Sequence, residues 1–142
     1  MSLKAVIRER LEETSILTLA VQDDKGPWSV PVIFAYEERP DGFALYFMSR
    51  TETRHVRALR RTPWAAASLH PGTTRPLRGL QMEGPVRPVP LHALPRVLHL
   101  YGRRFPRALP RIPRDLLDAG KLRFFLFHPH WFGVLDEQRF GW

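Results

Sequence analysis

The 142-residue chain contains no cysteine. That removes disulfides, zinc–thiolate sites, iron–sulfur clusters and cysteine nucleophiles. No apolar run approaches the roughly 20 residues of a membrane-spanning helix. The stretch from Met1 to Glu13 carries charge where a secretory leader needs an apolar centre, so a cytoplasmic protein is expected. Lysine is confined to Lys4, Lys25 and Lys121. Acids are sparse in the middle, where Glu52 and Glu83 alone accompany fourteen arginines between Arg50 and Arg114. No Gly-x-Gly-x-x-Gly loop occurs, and no Ser/His/Asp order or paired carboxylates recommend a hydrolase.

What is present reads as one globular domain: hydrophobic residues make up 44% and aromatics 11%, which suits a single packed core. The net charge of +8 and pI near 11.0 raise the question of nucleic acid. Arginine used without lysine suits forked contacts to phosphate or carboxylate. It also suits the codon bias of a GC-rich genome, as do the fourteen prolines. An arginine-rich nucleic-acid module is therefore the minority reading.

Periodicity gives the elements. Leu3–Glu13 places Val6, Ile7 and Leu11 on one side of a helix. SILTLAVQDD alternates as a strand, Asp23 to Pro27 is a turn cluster, and Trp28 to Tyr36 returns. Pro31 cannot donate to a ladder, so it belongs at an edge or bulge. A third strand starts at Phe43 and runs into a polar turn and a short basic helix that ends at Pro63. Trp64 to Leu69 is a fourth strand. Leu77 to Val89 is a fifth, bent at Gly84 and Pro85. Leu91 to Arg104 is a helical excursion, with Pro95 tolerable in its first turn. LRFFLFH and WFGVLDE then form two strands joined by a tight His128-Pro129-His130 connection. Six or seven strands with so few intervening helices predict a mainly β, antiparallel barrel.

The stretch FALYFMSRTETRHVRALRRTP carries the sharpest chemistry. Ser49, Thr51 and Thr53 offer hydroxyls where the helix needs its first N–H groups capped. The helix start supplies unpaired donors and partial positive charge. Arg54 and His55 in the first turn oppose that dipole unless an anion compensates, so a phosphate site is predicted. Arg57, Arg60 and Arg61 read as solvated or favourably placed near the helix C-terminus. His128-x-His130 has no third ligand nearby and reads as a turn rather than a metal site. His92 and His99 read as surface residues.

The segments SVPVIFAY, LYFMSRTETRHVRALRRTP, LRGLQMEGPV, YGRRFP and HPHWFGVLDEQRFG occur in one order across most of the chain. In this the chain resembles the FMN-binding split β-barrel superfamily, the relatives of pyridoxamine 5′-phosphate oxidase, and within it a small uncharacterised bacterial family. The resemblance implies a homodimer with FMN at the subunit interface. It implies that Ser49, Thr53, Arg54 and His55 hold the FMN phosphate, with His55 where the oxidases carry lysine. It places the backbone of Val32, Ile33 and Phe34 along the flavin ring and turns Gln81 toward it. Trp131, Phe132, Phe140 and Trp142 are core or interface aromatics, one of which would flank the partner's flavin. The closing QRFGW lacks the Arg-x-His signature of the true oxidases, so the vitamin oxidase activity does not carry over, and no catalytic residue is assigned. What remains is an FMN-dependent oxidoreductase or flavin-binding protein. A deazaflavin-dependent reductase and a haem-binding relative of the same fold are the alternatives.

Overall fold

Strand alternation translates directly into a barrel wall. In the computed structural model, which describes residues 2–141, β1 (Ile16–Asp23) turns Leu17, Leu19 and Val21 inward and leaves every second residue outward. It pairs antiparallel with β2 (Gly26–Arg39), which pairs with β3 (Gly42–Arg50). β2 is long because it serves two sheets. It lies against β1 up to Ile33 and against β3 from Phe34 onward. Pro31 faces Thr18 of β1 in the first half, where β3 does not flank it, so its missing N–H breaks no ladder.

After α2 (Arg54–Arg61), β4 (Trp64–Leu69) pairs with both β1 and β5 (Arg78–Pro88). β6 (Leu122–Phe127) lies between β3 and the last residues of β5, and closes the cylinder. The seven-stranded order is β4-β1-β2-β3-β6-β5-β7, with β4–β5 completing the ring. The predicted antiparallel split barrel is the fold.

One predicted feature needs correction. β6 and β7 (Trp131–Asp136) are not hairpin partners. Both lie antiparallel along the same edge of β5, β6 against Val86–Pro88 and β7 against Arg78–Glu83. His128-Pro129-His130 is the kink in one long bent strand, held to β5 by His128 N–H donating to Pro85 O (3.0 Å) and His130 N–H to Glu83 O (2.8 Å). Gly84 sits directly beneath it. A Cβ built there would stand 2.2 Å from His128 O, which explains the glycine.

Two helices close the barrel from opposite ends. α1 (Leu3–Glu13) precedes β1 and buries Ile7 and Leu11; α2 lies at the far end and buries Val56 and Leu59 in the same core. A second core forms outside the barrel, where α3 (Leu94–Arg104) lays Val97 and Tyr101 on Tyr46, Phe124 and Leu126. α4 (Arg114–Asp118) and a C-terminal turn of helix, α5 (Glu137–Phe140), complete the chain.

The N-terminal helix and the last strand are tied by charge that periodicity hid. Arg10 is fully buried and donates to Asp136 (2.8 Å), itself 4% exposed, and to Glu13 (2.7 Å). Arg139 also meets Asp136 at 2.8 Å, and Arg78 pairs with Glu9 at 2.9 Å. Glu9 and Glu13, on the polar side of α1, are members of this network.

Candidate cofactor site

The strand-to-helix passage gathers four of the predicted residues. Thr53 caps α2 by accepting from Val56 N–H (3.4 Å). Ser49 Oγ lies 2.8 Å from His55 Nε2 and 3.4 Å from Thr53 Oγ1. Both hydroxyls donate to the Arg50 carbonyl, at 3.1 and 3.0 Å. Each hydroxyl has a single proton, so Nε2 of His55 is the donor to Ser49, which fixes the tautomer by bookkeeping. His55 is 6% exposed, and burial pushes its pKa below the ordinary histidine value. The imidazole therefore enters this cluster as a neutral donor at pH 7 rather than as a second cation. The N–H groups of Arg54 and His55 have no acceptor within the helix, as at any first turn.

Arg54 points elsewhere. Its guanidinium forms a forked pair with Asp23, Nε at 2.7 Å and NH2 at 3.0 Å, and stacks 4.3 Å over Trp28. The hydrogen bond from Arg54 holds the Asp23 carboxyl down at about 2. The pair spans 31 residues and ties the β1–β2 turn to the start of α2.

Two free helix-start N–H groups suit a phosphate in kind, whereas the two hydroxyls and the imidazole N–H are engaged on the Arg50 carbonyl and on Ser49 and would serve it only by turning from them. Arg54 would reach it only by leaving Asp23, or would serve it from its present position through charge alone.

The strand β2 residues divide by face. Val32 and Phe34 point into the barrel and are buried, whereas Ile33 is 50% exposed on the outside. Ile33 and Met48 line an apolar cavity of about 580 Å³ with Tyr101, Phe105, Pro106 and Ile112, and Arg107 and Arg111 stand at its edge. Met48 and Ser49 are consecutive on β3, so their side chains face opposite sides of the sheet. The hydroxyl cluster and the apolar cavity are therefore neighbours along β3 but open on opposite faces of the sheet.

Gln81 is not brought to that cavity. It lies on the outer face of β5, level with Ser68, Thr18 and Pro31 through the ladders β5–β4–β1–β2. Three strand spacings separate it from β2, about 14 Å. It shares a hollow of about 340 Å³ with Thr18, Ala66, Ser68 and Trp131. This outer face is flat and small-sided at its centre, and Ile16, Ile33, Trp64, Trp131 and Leu135 stand exposed around it at 41–54%. Phe132 packs on the core and Phe140 is 59% exposed, while Trp142 lies outside the described residues. His92 and His99 are exposed. Among the described residues no three metal-ligating side chains are grouped to hold an ion, and no helix is long and apolar enough to cross a membrane.

Sequence reasoning missed Arg104. Its guanidinium donates to the carbonyls of Leu11 (2.8 Å) and Thr14 (2.6 Å) at the end of α1 and lies 4.9 Å from the Phe34 ring. Only the motif YGRRFP hinted at a fixed role. Glu37 was also missed; buried beneath α3, it accepts from Tyr46 (2.8 Å) and pairs with Arg96 at 2.7 Å.

Comparison with known families decides the classification. The family model described as pyridoxamine 5′-phosphate oxidase matches residues 3–132. The chain belongs to this family. Among curated proteins, a UPF0306 protein of Enterobacter sp. (strain 638) is 27% identical to this chain over 111 residues, 77% of each chain. Solved structures sharing the fold include HutZ, the heme storage protein of Vibrio cholerae (TM-score 0.73, 20% identity, 96% of this chain and 95% of that one). They also include an FAD-binding protein of Mesorhizobium loti (TM-score 0.70, 15% identity, 94% and 92%). A third, Atu2129 of Agrobacterium tumefaciens, is longer: this chain covers 57% of it at TM-score 0.73 and 20% identity, with 94% of this chain matched.

Proposed function

We propose that the protein binds FMN as a homodimer and is an FMN-dependent oxidoreductase acting on a small molecule. The observation that carries this is the donor cluster at the start of α2, formed by Ser49, Thr53 and His55, which suits an anion, while the apolar cavity at Met48 and Ile33 opens on the opposite face of β3. A phosphate tail suits the first environment and a flat ring system the second, with the ligand passing from one face to the other around the end of β3 at Arg50. The volume of about 580 Å³ lies in the range of cofactor sites. When bound, FMN supplies hydride and electron transfer, which needs no protein nucleophile. The chain's share is to hold the phosphate at the α2 start, seat the ring against Ile33, and exclude water with Tyr101 and Phe105.

The exposed outer face supports the homodimer. Apolar residues ringing a flat centre of Thr18, Ala20, Ala66 and Ser68 are costly to leave in water. Gln81 and Trp131, too far from Ile33 within one chain, become neighbours of a flavin only if a second copy covers that face.

The test is a fluorescence titration of purified protein with FMN. Tight quenching at one flavin per chain is expected. Arg54→Ala should weaken binding about tenfold or more, as loss of a charge-assisted phosphate contact does. A parent protein that neither quenches nor retains FMN sinks the proposal. Haem is the second reading, favoured by the likeness in fold to HutZ; a Soret band on haem addition with no flavin uptake would select it.

A further inference from the structure

We infer a second ligand site, for a small organic anion with a flat apolar body, in the groove between α2 and the seam of β5 with β6. Six arginines of the chain are buried or half-buried: Arg10, Arg39, Arg54, Arg78, Arg104 and Arg123. The first four meet the carboxylates of Asp136, Glu37, Asp23 and Glu9. Arg104 meets two carbonyls. The Arg123 side chain alone makes no hydrogen bond or ion pair with any described residue, its backbone being paired with β3. Arg123 is half-buried but its nitrogens still reach solvent, so the guanidinium is held in place with its donors free for an anion. That is the state of a cation placed for an anion from outside.

Its surroundings say what kind of anion. Arg123 lines a half-open groove of about 280 Å³ whose apolar side is Val56, Leu59, Pro63 and Phe125. Arg60 and Arg87 stand at the same cavity, and no acid lines it. The cleft on the other side of α2 is different, for there Asp23 and Asp24 meet the cations Lys25, Arg54, Arg57, Arg60 and Arg61. Three guanidiniums over an apolar floor select a ligand with one anionic group and a compact body, an aryl carboxylate or sulfonate. The volume is just under that of a typical drug-sized site and suits one or two fused rings.

Arg123 stands directly opposite Ser49 in the β3–β6 ladder, so the site adjoins the phosphate cradle. Its lining nonetheless includes no residue of that cradle or of the cavity at Ile33, so it should fill with or without FMN. Naphthalene-2-sulfonate is the probe, titrated by calorimetry into protein alone and into protein with saturating FMN. One site per chain is expected in both. Arg123→Gln should weaken binding about tenfold or more, with Arg123→Lys restoring part of it and with an unchanged melting temperature. Arg107→Gln, at the larger cavity, should leave the isotherm unchanged. The inference falls if the parent does not bind the probe, if Arg123→Gln binds as the parent does, if FMN competes the probe off, or if Arg107→Gln takes the loss. Failure of FMN itself to bind would leave this result standing.

Discussion

Replacing Gly84 by alanine tests the strand arrangement at its tightest point. The new Cβ would lie 2.2 Å from His128 O and 2.9 Å from both His128 C and Pro129 Cα. All three are backbone atoms, and two hydrogen bonds to β5 hold that backbone in place. No rotamer relieves the clash; the kink must lift off β5 and loosen the bonds at Pro85 and Glu83. Forced overpacking costs about 1–3 kcal/mol, and rigid neighbours put this case at or above the upper end. At about 3 °C per kcal/mol for a domain of this size, the melting temperature should fall by roughly 10 °C. Gly133→Ala is the control. Its Cβ would meet Trp131 at 2.6 Å, but with the far end of a half-exposed side chain that can swing away. That variant should cost under about 1 kcal/mol, as surface changes do. Thermal unfolding followed by far-UV circular dichroism reads both. A Gly84→Ala melt within about 2 °C of the parent would show that the kink does not press on β5.

Three further outcomes follow from the same structure. His55 has its pKa lowered by burial, so the unfolded chain takes the proton first. Stability is therefore full above the ordinary histidine value near 6.5 and declines as pH falls through the lowered folded value; urea midpoints should drop below pH 6.5, and His55→Gln should flatten that slope. Asp136→Ala leaves buried Arg10 without its deepest partner and should cost roughly 3 kcal/mol in chemical denaturation, since breaking a buried pair strands a charge. Ala66→Glu places a charge at the centre of the outer sheet face; light scattering should show a dimeric parent and a monomeric variant, and a variant that stays dimeric places the interface elsewhere.

Local pattern carried most of the architecture because alternation and caps are local. α1 spans Leu3–Glu13 as its apolar spacing required, and β4 spans Trp64–Leu69 as alternation required. That Ser49, Thr53 and His55 come together was legible because only six positions separate the first from the last. What stayed hidden was long-range. Nothing near Arg54 points to Asp23, 31 positions earlier, and nothing near Arg10 points to Asp136, 126 positions later. His128-Pro129-His130 looks like a hairpin turn because a kink in a strand and a turn between strands use the same residue types. Only the ladder on β5 distinguishes them.

The place of β6 has a consequence for how the protein is made. It is the strand that joins β3 to the end of β5, yet it lies between residues Leu122 and Phe127. Synthesis delivers the chain from the N-terminus. Until β6 has left the ribosome, β3 and β5 present open edges that any other nascent chain could extend. The late-arriving β6 and β7, together with the Arg10–Asp136 clasp, seal that seam in one step. A chain truncated before Leu122 should therefore aggregate rather than fold into a smaller barrel.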